Sequence, residues 1–320
     1  MEDFYQIPEN ELRYTARFLR KEMIARGWGE TSAVRASKNI LIFATRPDGK
    51  KLRFCSCMAG TTSVFAASLA DDKMASYEVM KQEGIPQPET VYLPKDKDKM
   101  RAQLAGLLEK YSKIVIKPVD GAHGRDIATD ISDIDEAMKA ADCDGGMVAQ
   151  EQLLDDIIEV RAICVDGKFI DAFKRIPAMV TGDGEHSILE LIDKENRETR
   201  VEAYLGDSAR IDKKAAIAYL DKCNIDKNRV PASGEKVRVI GICNVGVGGT
   251  VEETELDPKL IELAEKVAKT IDLPLVGVDF YGDKVIEANP APSLYYPTGD
   301  DSADKCVKAY VDYLENLKID

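Results

Sequence analysis

The chain carries, at residues 277–289, the stretch Gly277-Val278-Asp279-Phe280-Tyr281-Gly282-Asp283-Lys284-Val285-Ile286-Glu287-Ala288-Asn289. Two short apolar strands meet here at a Gly-Asp turn, and each strand holds oxygen-bearing side chains. Because side chains alternate along a strand, Glu287 and Asn289 share one face, and a three-residue loop would place Asp279 opposite Glu287 on that face. Carboxylate and amide oxygens are hard ligands that suit Mg²⁺. The stretch therefore predicts a metal-binding hairpin, and a surface hairpin with solvated acids is the alternative.

The composition indicates a protein with a substantial core. The chain has 320 residues, of which 44% are apolar, and two or three subdomains are expected at this length. Its formal charge of −13 argues against nucleic-acid and anionic-membrane binding, since both need a cationic face, although a local basic pocket for phosphate is compatible with it. No stretch approaches the ~18 apolar residues of a membrane span, and the N-terminus lacks the features of a secretory signal. We therefore expect a cytoplasmic protein.

The cysteines indicate reduced thiols rather than a disulfide framework. There are 7, an odd number, scattered from Cys55 to Cys306. With only 2 histidines, no zinc-ligand spacing can be assembled. Cys55-Ser56-Cys57 is the only close pair; two strand thiols, one facing inward and one outward, are expected, and a redox role is left open.

Hydrophobic periodicity and turn residues divide the chain into three parts. Residues 1–70 are predicted to form a small N-terminal α/β subdomain, residues 71–149 a small α+β lobe, and residues 150–320 a large α+β lobe. In the first two parts we expect helices over about 11–27, 72–83 and 133–141 and strands over 40–44, 52–57, 114–116, 126–129 and 147–149. In the third part we expect a hairpin over 159–177, a helix over 187–196, a Gly-rich strand pair over 237–250 and a helix over 257–271.

The segment from Ile114 to Ile127 has features of a phosphate-binding element. A short strand delivers Lys117 to a loop in which Gly121 and Gly124 allow close approach of the backbone to a ligand. The loop matches neither a Walker A sequence nor a dinucleotide fingerprint. From this segment alone, an ordinary connecting loop with no ligand is the favoured interpretation.

The run Val148-Ala149-Gln150-Glu151-Gln152-Leu153 leaves a strand, and Glu159 and Arg161 begin the next one. A hinge of this kind can offer backbone groups to a purine edge and a carboxylate to ribose hydroxyl groups. Glu159 alone would be read as a surface strand acid. The order of the motifs along the chain favours the functional interpretation.

These motifs, in their order along the chain, resemble those of the ATP-grasp superfamily. They are most similar to the motifs of the ATP-grasp domain of cyanophycin synthetases and of bifunctional glutathione synthetases. The resemblance covers about residues 60–298. The stretches that carry it are Thr62-Ser63 to Asp72-Lys73, Ile116 to Arg125, Arg175 to Gly184, Gly248-Gly249-Thr250, and Gly277-Val278-Asp279 to Glu287-Ala288-Asn289. Several separated motifs in the expected order are more specific than any one of them.

The resemblance implies an α+β ATP-grasp fold in which two lobes clasp ATP. It also implies that a carboxylate is phosphorylated to an acylphosphate, which an amine attacks to give an amide, ADP and phosphate. Such phosphoryl transfer needs positioning and charge compensation rather than a covalent nucleophile.

By the same resemblance, the site residues fall into groups. Those expected to bind ATP are Lys73, Lys117, Asp120, Gly121, His123, Gly124, Arg125, Glu151, Gln152, Leu153 and Glu159. Those expected to act in catalysis are Arg161, Lys174, Arg175 and Asn244. Those expected to hold two Mg²⁺ ions, with Mn²⁺ as a substitute, are Asp279, Glu287 and Asn289.

Two departures from the family pattern bear on the substrate. The family often has arginine just before the Asn-containing strand, where this chain has Val239-Ile240-Gly241-Ile242-Cys243-Asn244, so we expect the missing cation to come from Arg238. After Asn289, Ser293 stands where the usual turn carries glycine. Arg238 and Ser293 are therefore the candidate substrate residues.

The sequence predicts an ATP- and Mg²⁺-dependent carboxylate–amine ligase acting on an amino acid or short peptide. A P-loop for a second ligase domain does not occur in the sequence, so full cyanophycin synthesis is not expected. The alternatives are a glutathione-synthetase-like ligase that adds glycine or a similar amine to a dipeptide, and an ATP-binding regulatory protein without turnover. The sequence does not identify the two substrates. It leaves open whether the product is a single ligation product or a polymer, and whether the active form is a monomer or a homo-oligomer.

Overall fold

A computed structural model provides the structure of the chain. It describes residues 12, 14–36, 39–120, 127–143, 145–153, 158–198, 210–294 and 302–318. The helices are α1 Tyr14–Ala25, α2 Val64–Asp71, α3 Lys73–Gln82, α4 Lys97–Tyr111, α5 Ile134–Ala140, α6 Ile188–Glu198, α7 Lys213–Lys222, α8 Pro258–Ile271 and α9 Ser302–Asn316. Within the described ranges, none of these helices combines the length and the apolar character needed to cross a bilayer.

In the described ranges the strands form three sheets and one short ribbon, and every pairing is antiparallel. The N-terminal sheet, in spatial order, contains β1 Gly29–Ala36, β2 Asn39–Thr45, β3 Lys51–Cys55 and β4 Met58–Ala59. The small sheet contains β5 Thr90–Leu93, β8 Met147–Glu151, β6 Ile114–Pro118 and β7 Ala128–Ile131. The large sheet contains β13 Thr250–Glu253, β10 Lys168–Ile176, β9 Glu159–Val165, β14 Leu275–Tyr281 and β15 Lys284–Asn289, and the ribbon pairs β11 Met179–Thr181 with β12 Lys236–Arg238.

Local signals in the sequence define the ends of several elements. Helix α3 begins after Asp72, whose carboxylate accepts hydrogen bonds from the backbone N–H groups of Met74 and Ala75, each at 2.9 Å. Helix α8 begins with Pro258 after the capping residue Asp257. The β9–β10 hairpin turns through Asp166 and Gly167, which have φ of 49° and 70°, the left-handed conformation that tight hairpin turns need. These three predictions are confirmed.

Other elements differ from those predicted from the sequence. Strands β12 and β13 do not pair with each other, so the predicted Gly-rich strand pair over 237–250 is wrong: β12 pairs with β11, and β13 pairs with β10. A short 3₁₀ turn, Val245–Val247, lies between them. The partners of β12 and β13 are distant in the sequence, and a local pattern does not indicate them.

The two faces of the large sheet have different partners. One face packs on α2, α3 and α8 through Val276, Val278 and Phe280. The other face contributes Ile163, Phe173 and Leu275 to a core shared with α1, the N-terminal sheet and α9. Farther along that second face, towards the start of β9, the side chains become charged, and this is the candidate site.

Candidate active site

The hairpin of β14 and β15 brings Asp279 directly opposite Glu287, as predicted. The loop length and the strand register differ from the prediction. The loop has two residues, Gly282 and Asp283, rather than three, and the register shifts by one residue between Asp279 and Phe280, which leaves Ile286 as an extra residue in β15. Because the shorter loop and the bulge compensate, the two carboxylates still share one face of the sheet.

Asp279 lies in a buried cluster of charges. Its side chain is 1% exposed, and both of its oxygens accept hydrogen bonds from the guanidinium of Arg161 on β9, each at 2.6 Å. Arg175 on β10 adds a hydrogen bond at 3.1 Å and also pairs with Glu159. Burial raises the pKa of Glu159, and the Asp279 carboxylate acts in the same direction, whereas the charges of Arg175 and Arg161 oppose it. Two carboxylates and two guanidinium groups thus balance each other where all four side chains are largely shielded from solvent.

We expect Asp279→Ala to destabilise the protein by about 3–5 kcal/mol, because it leaves Arg161 and Arg175 buried without their shared partner. Urea unfolding measures this effect. The double variant Arg161→Met/Asp279→Leu removes both charges and should be more stable than Asp279→Ala. If the single and double variants lost equal stability, the cost would come from altered packing rather than from an unpaired charge.

Glu287 and Asn289 differ from Asp279 in their availability. The Glu287 side chain is 39% exposed, and its Oε1 lies 3.7 Å from the Nζ of Lys73 at the start of α3. The Oδ1 of Asn289 accepts a hydrogen bond of 2.9 Å from the N–H of Ala291, which begins the segment after the hairpin. Glu287 is therefore far more open to solvent than Asp279.

Lys117 is a buried cation on β6 in the small sheet. It is 8% exposed and donates a hydrogen bond of 2.9 Å to Gln150, whose side-chain amide donates to the Thr90 hydroxyl at 2.7 Å. Burial lowers the pKa of Lys117 to about 8 and the positive charge of Lys73 acts in the same direction, while Glu287 and Glu159 oppose the shift. Among the described residues, no carboxylate lies within ion-pair distance of Lys117. A bound anion would compensate the buried positive charge of Lys117 and reduce the free-energy cost of burying it.

The predicted adenine segment links the small and large sheets. Both oxygens of Glu151 accept hydrogen bonds from Lys284 on β15, at 2.7 and 2.8 Å. Gln152 donates to the carboxylate of Asp130 on β7 at 2.8 Å, and Leu153 is half-buried beyond the end of β8. A second link joins the N–H of Val285 to the carbonyl of Pro86 at 2.9 Å. The hairpin with Asp279 and Glu287 is therefore fixed against β8, which pairs with the Lys117 strand β6 in the small sheet.

Three of the predicted residues lie away from this cluster or have another local role. Lys174 follows Phe173 and precedes Arg175 on β10, so strand alternation places it on the opposite face of the large sheet from Arg175. Asn244 accepts a hydrogen bond of 2.7 Å from the N–H of Gly246 and caps the 3₁₀ turn. Arg238 donates to the backbone carbonyls of Ile240, at 3.1 Å, and of Gly241.

Ser293 lies beside helix α1. Its hydroxyl is 3.4 Å from the hydroxyl of Thr15, which also accepts a hydrogen bond of 3.1 Å from the N–H of Leu294. Of the predicted phosphate loop, Asp120 is exposed, and Gly121, His123, Gly124 and Arg125 lie outside the described residues. Sequence reasoning missed the contributions of Thr15 and Gln150. A glutamine among the apolar residues of β8 was a usable signal; nothing in the sequence pointed to Thr15.

We expect Thr15→Val to destabilise the protein by about 1–3 kcal/mol, because the N–H of the fully buried Leu294 would lose its acceptor. Thr15→Ser keeps the hydroxyl and should lose less. Urea unfolding of both variants compares them. Equal losses would assign the effect to the Thr15 methyl group instead.

Comparisons with known proteins agree with this architecture. The chain is 30% identical over 241 residues to cyanophycin synthetase of Crocosphaera subtropica, which covers 71% of this chain and 27% of that protein. It is 26% identical over 258 residues to the bifunctional glutathione biosynthesis protein of Clostridium perfringens, covering 77% of this chain and 32% of that one. The chain thus spans about a third or less of the length of these curated relatives. No family model matches the sequence.

A bifunctional glutathione synthetase from Pasteurella multocida has the same fold over 95% of this chain and 44% of its own, with a TM-score of 0.61 and 17% identity. The chain belongs to the ATP-grasp superfamily. The predicted α+β class and ATP-grasp fold are therefore confirmed.

Within this ATP-grasp fold, the side chains around the hairpin fit an anionic nucleotide with Mg²⁺. Asp279, Glu287 and Asn289 supply hard oxygen atoms, as Mg²⁺ requires. Among the described residues, no group of three or more His, Cys, Asp or Glu side chains has metal-binding geometry, so these two carboxylates would need the amide and ligand oxygens to complete a site. The cations Lys73, Lys117, Arg161 and Arg175 are balanced by the acids Asp71, Glu159, Asp279 and Glu287, in a chain of formal charge −13.

Proposed function

We propose that the chain is an ATP- and Mg²⁺-dependent carboxylate–amine ligase that forms an amide or peptide bond on an amino acid or short peptide. The observation that carries the proposal is the buried Lys117 without a carboxylate partner in the described chain, close enough to Glu287 for that charge to influence its pKa. A buried cation beside a hard-oxygen hairpin suits phosphate with a divalent metal. The names of the relatives and of the fold neighbour point to the same chemistry.

In this proposal the chain's residues bind and orient the triphosphate. Lys73 and Lys117 hold its α- and β-phosphates, and Asp120 with the loop to Arg125 covers the β/γ end. Glu151, Gln152 and Leu153 frame the adenine, and Glu159 faces the ribose. The Glu159–Arg175 pair would then have to open or share its hydrogen bonds. Asp279, Glu287 and Asn289 would hold two Mg²⁺ ions, and Mn²⁺ could replace them. The metal would compensate the charge of the phosphates.

The proposed reaction has two steps. A carboxylate oxygen of the first substrate attacks the γ-phosphorus, the bond to the bridging oxygen breaks, and ADP leaves. The amine of the second substrate then attacks the acyl carbon of the acylphosphate, phosphate leaves, and the amine nitrogen loses a proton. Arg161 and Arg175 would stabilise the charge on the transferred group. Lys174, Asn244, Arg238 and Ser293 stay as proposed catalytic and substrate residues, with the other local roles described above.

The three-part division at residues 70 and 149 is part of the proposal, and the separation of the three sheets supports it. Helix α9, however, packs against α1 as well as against β9 and β10, in the core that the large sheet shares with the N-terminal sheet. A small-molecule or short-peptide substrate agrees with the formal charge of −13, which disfavours binding of the chain to nucleic acid or an anionic membrane.

An ADP-release screen tests the function. The purified chain is incubated with ATP, Mg²⁺ and pairs of amino acids and dipeptides, and product mass is read for each pair that releases ADP. A ligase releases ADP only when both substrates are present and yields a product at the summed mass less water. Glycine with a dipeptide is included because the fold neighbour is a bifunctional glutathione synthetase. Nucleotide binding with no ADP from any pair would support the regulatory alternative.

A further inference from the structure

A cavity of about 420 Å³ lies at the end of strand β9 that is opposite to Glu159. The turn between β9 and β10 and the last two turns of α9 border it, and Val165, Ile170 and Tyr313 are among its lining residues. Because β9 rises about 3.3 Å per residue from Glu159 to Val165, the cavity lies about 20 Å from Glu159. We call this space the α9 cavity, and it is separate from the site proposed for ATP.

The α9 cavity has an apolar floor and an aromatic wall. Val165, Ile170 and Leu317 form the floor. The ring of Tyr313 lies parallel to that of Tyr310, with 6.1 Å between the ring centroids and 7° between the planes, so it is held in place. A volume of several hundred Å³ with such a lining is typical of a site for a small molecule.

Carboxylates lie close to the phenol of Tyr313. Burial raises the pKa of Tyr313, and the negative charges of Asp166 and Asp272 act in the same direction. Within the described ranges, neither of these two exposed carboxylates forms a side-chain hydrogen bond or an ion pair. They do not build a metal site either, since no group of three His, Cys, Asp or Glu side chains in those ranges has metal-binding geometry. The negative charge beside an apolar floor therefore suits an organic cation.

The nearby cations do not neutralise these carboxylates. They already have acidic partners: Arg26 pairs with Glu22, Asp312 and Glu315, and Lys168 and Lys269 pair with Glu265. Lys318 also lines the cavity, but it is exposed on the segment that follows α9. An exposed lysine on this rim stays hydrated and leaves Asp166 and Asp272 available.

The C-terminal end of α9 adds to the preference for a cation. The last carbonyl groups of a helix carry partial negative charge, which stabilises cations placed there. The guanidinium of Arg46 already donates to the carbonyls of Leu314, at 3.1 Å, and Leu317, at 2.7 Å. On the cavity side, the amide of Asn316 donates to the carbonyl of Asp312 at 2.8 Å, so its side-chain oxygen remains an acceptor in the described chain.

We propose that the α9 cavity binds an alkylammonium ion. The ammonium group would lie beside Asp166 and Asp272 and against the ring of Tyr313, where cation–π attraction adds to the interaction between charges. The aliphatic chain would pack on the floor of Val165, Ile170 and Leu317. Two sources carry this group: a free aliphatic amine and the lysine side chain of a partner protein. Binding of this ion is independent of the proposed ligase activity.

The test titrates the full ¹⁵N-labelled chain with pentylamine, which is protonated at neutral pH, in the absence of ATP and Mg²⁺. Amide signals are followed by NMR, and we expect saturable shifts in the β9–β10 turn and at the end of α9. Pentan-1-ol has the same chain without the charge and should bind about tenfold more weakly.

The variants test the residues of the α9 cavity. Asp166→Asn/Asp272→Asn should weaken pentylamine binding by about tenfold, because each exposed charge pair contributes up to a factor of about five. Both positions have positive φ, 49° and 60°, a conformation that asparagine also adopts. Tyr313→Leu should weaken binding by about two- to fivefold. The matched control, Asp98→Asn/Glu109→Gln, removes two exposed acids from α4 and should bind as the wild type does. Circular dichroism and the melting temperature verify that each variant is folded.

No saturable change in the signals around the α9 cavity, equal affinity for pentan-1-ol, or equal weakening in the α4 control would each contradict this assignment. A capped peptide, acetyl-Gly-Lys-Gly-amide, distinguishes the two sources of the ammonium group. Tighter binding of the peptide than of pentylamine assigns the group to a partner protein, and weaker binding assigns it to a free amine. Because neither ATP nor Mg²⁺ is present, these results leave the ligase proposal to the ADP-release screen.

Discussion

Replacing Glu287 with glutamine is expected to reduce ADP release by about 100-fold or more while leaving the fold intact, because compensation of phosphate charge by a metal contributes several kcal/mol. Glutamine has the same shape as glutamate and cannot supply the anionic oxygen that Mg²⁺ needs. The Glu287 side chain is 39% exposed, so the change should have little effect on folding.

The readouts are the rate of ADP release as a function of Mg²⁺ concentration and the thermal stabilisation of the protein by Mg²⁺-ADP. The matched control is Asp283→Asn, which removes an exposed carboxylate from the turn of the same hairpin. It should retain normal activity and normal stabilisation by nucleotide. Near-normal ADP release by Glu287→Gln at saturating Mg²⁺ would remove the metal role of this residue.

Replacing Lys117 with methionine is expected to weaken ATP binding without lowering the stability of the fold. The dissociation constant for ATP should rise about 10- to 150-fold, since a buried hydrogen bond to a charged group contributes about 1.5–3 kcal/mol. The free energy of unfolding at neutral pH should stay equal or increase. Burial lowers the folded-state pKa of Lys117 to about 8 from the ordinary 10.5, so the protonated side chain costs stability below that pH, and the cost disappears as the pH rises from about 8 to above 10.5.

Calorimetry with ATP and urea unfolding at neutral and alkaline pH measure the two effects. Lys113→Met is the control, since Lys113 precedes the same strand but is exposed and pairs with Asp130 at 3.2 Å. It should bind ATP as the wild type does. An unchanged ATP affinity in Lys117→Met would refute the phosphate role, and a large loss of stability would mean that the Gln150 contact matters more than the cost of burial.

The sequence was most informative where the signal is local. A capping aspartate before Lys73, a proline at the start of α8 and turn residues in the two hairpins each act through neighbouring residues, and the predicted elements are confirmed there. Helices α2, α4 and α9 and strands β1, β4, β5 and β11 were not predicted. In α4, for example, polar residues surround the three buried side chains Met100, Leu104 and Leu107, which gives a weak apolar stripe.

The site was predictable in its residue types and less so in its contacts. Asp279 and Glu287 share a hairpin, so their proximity follows from alternation and register. The pairing of Arg161 with Asp279 joins residues 118 positions apart, and it depends on the order of β9 and β14 in the large sheet. Lys174 and Arg175 are adjacent in sequence and were grouped together, although strand geometry directs their side chains to opposite faces.

Transfer of oxygen from the carboxylate substrate to phosphate tests the central claim most directly. The carboxylate substrate that supports ADP release is prepared with ¹⁸O in its carboxylate, and the inorganic phosphate formed with ATP, Mg²⁺ and the amine is analysed by mass spectrometry. An acylphosphate ligase transfers one labelled oxygen to each phosphate, because the attacking carboxylate oxygen leaves with it. Phosphate without label, or release of AMP and pyrophosphate in place of ADP, would contradict the account.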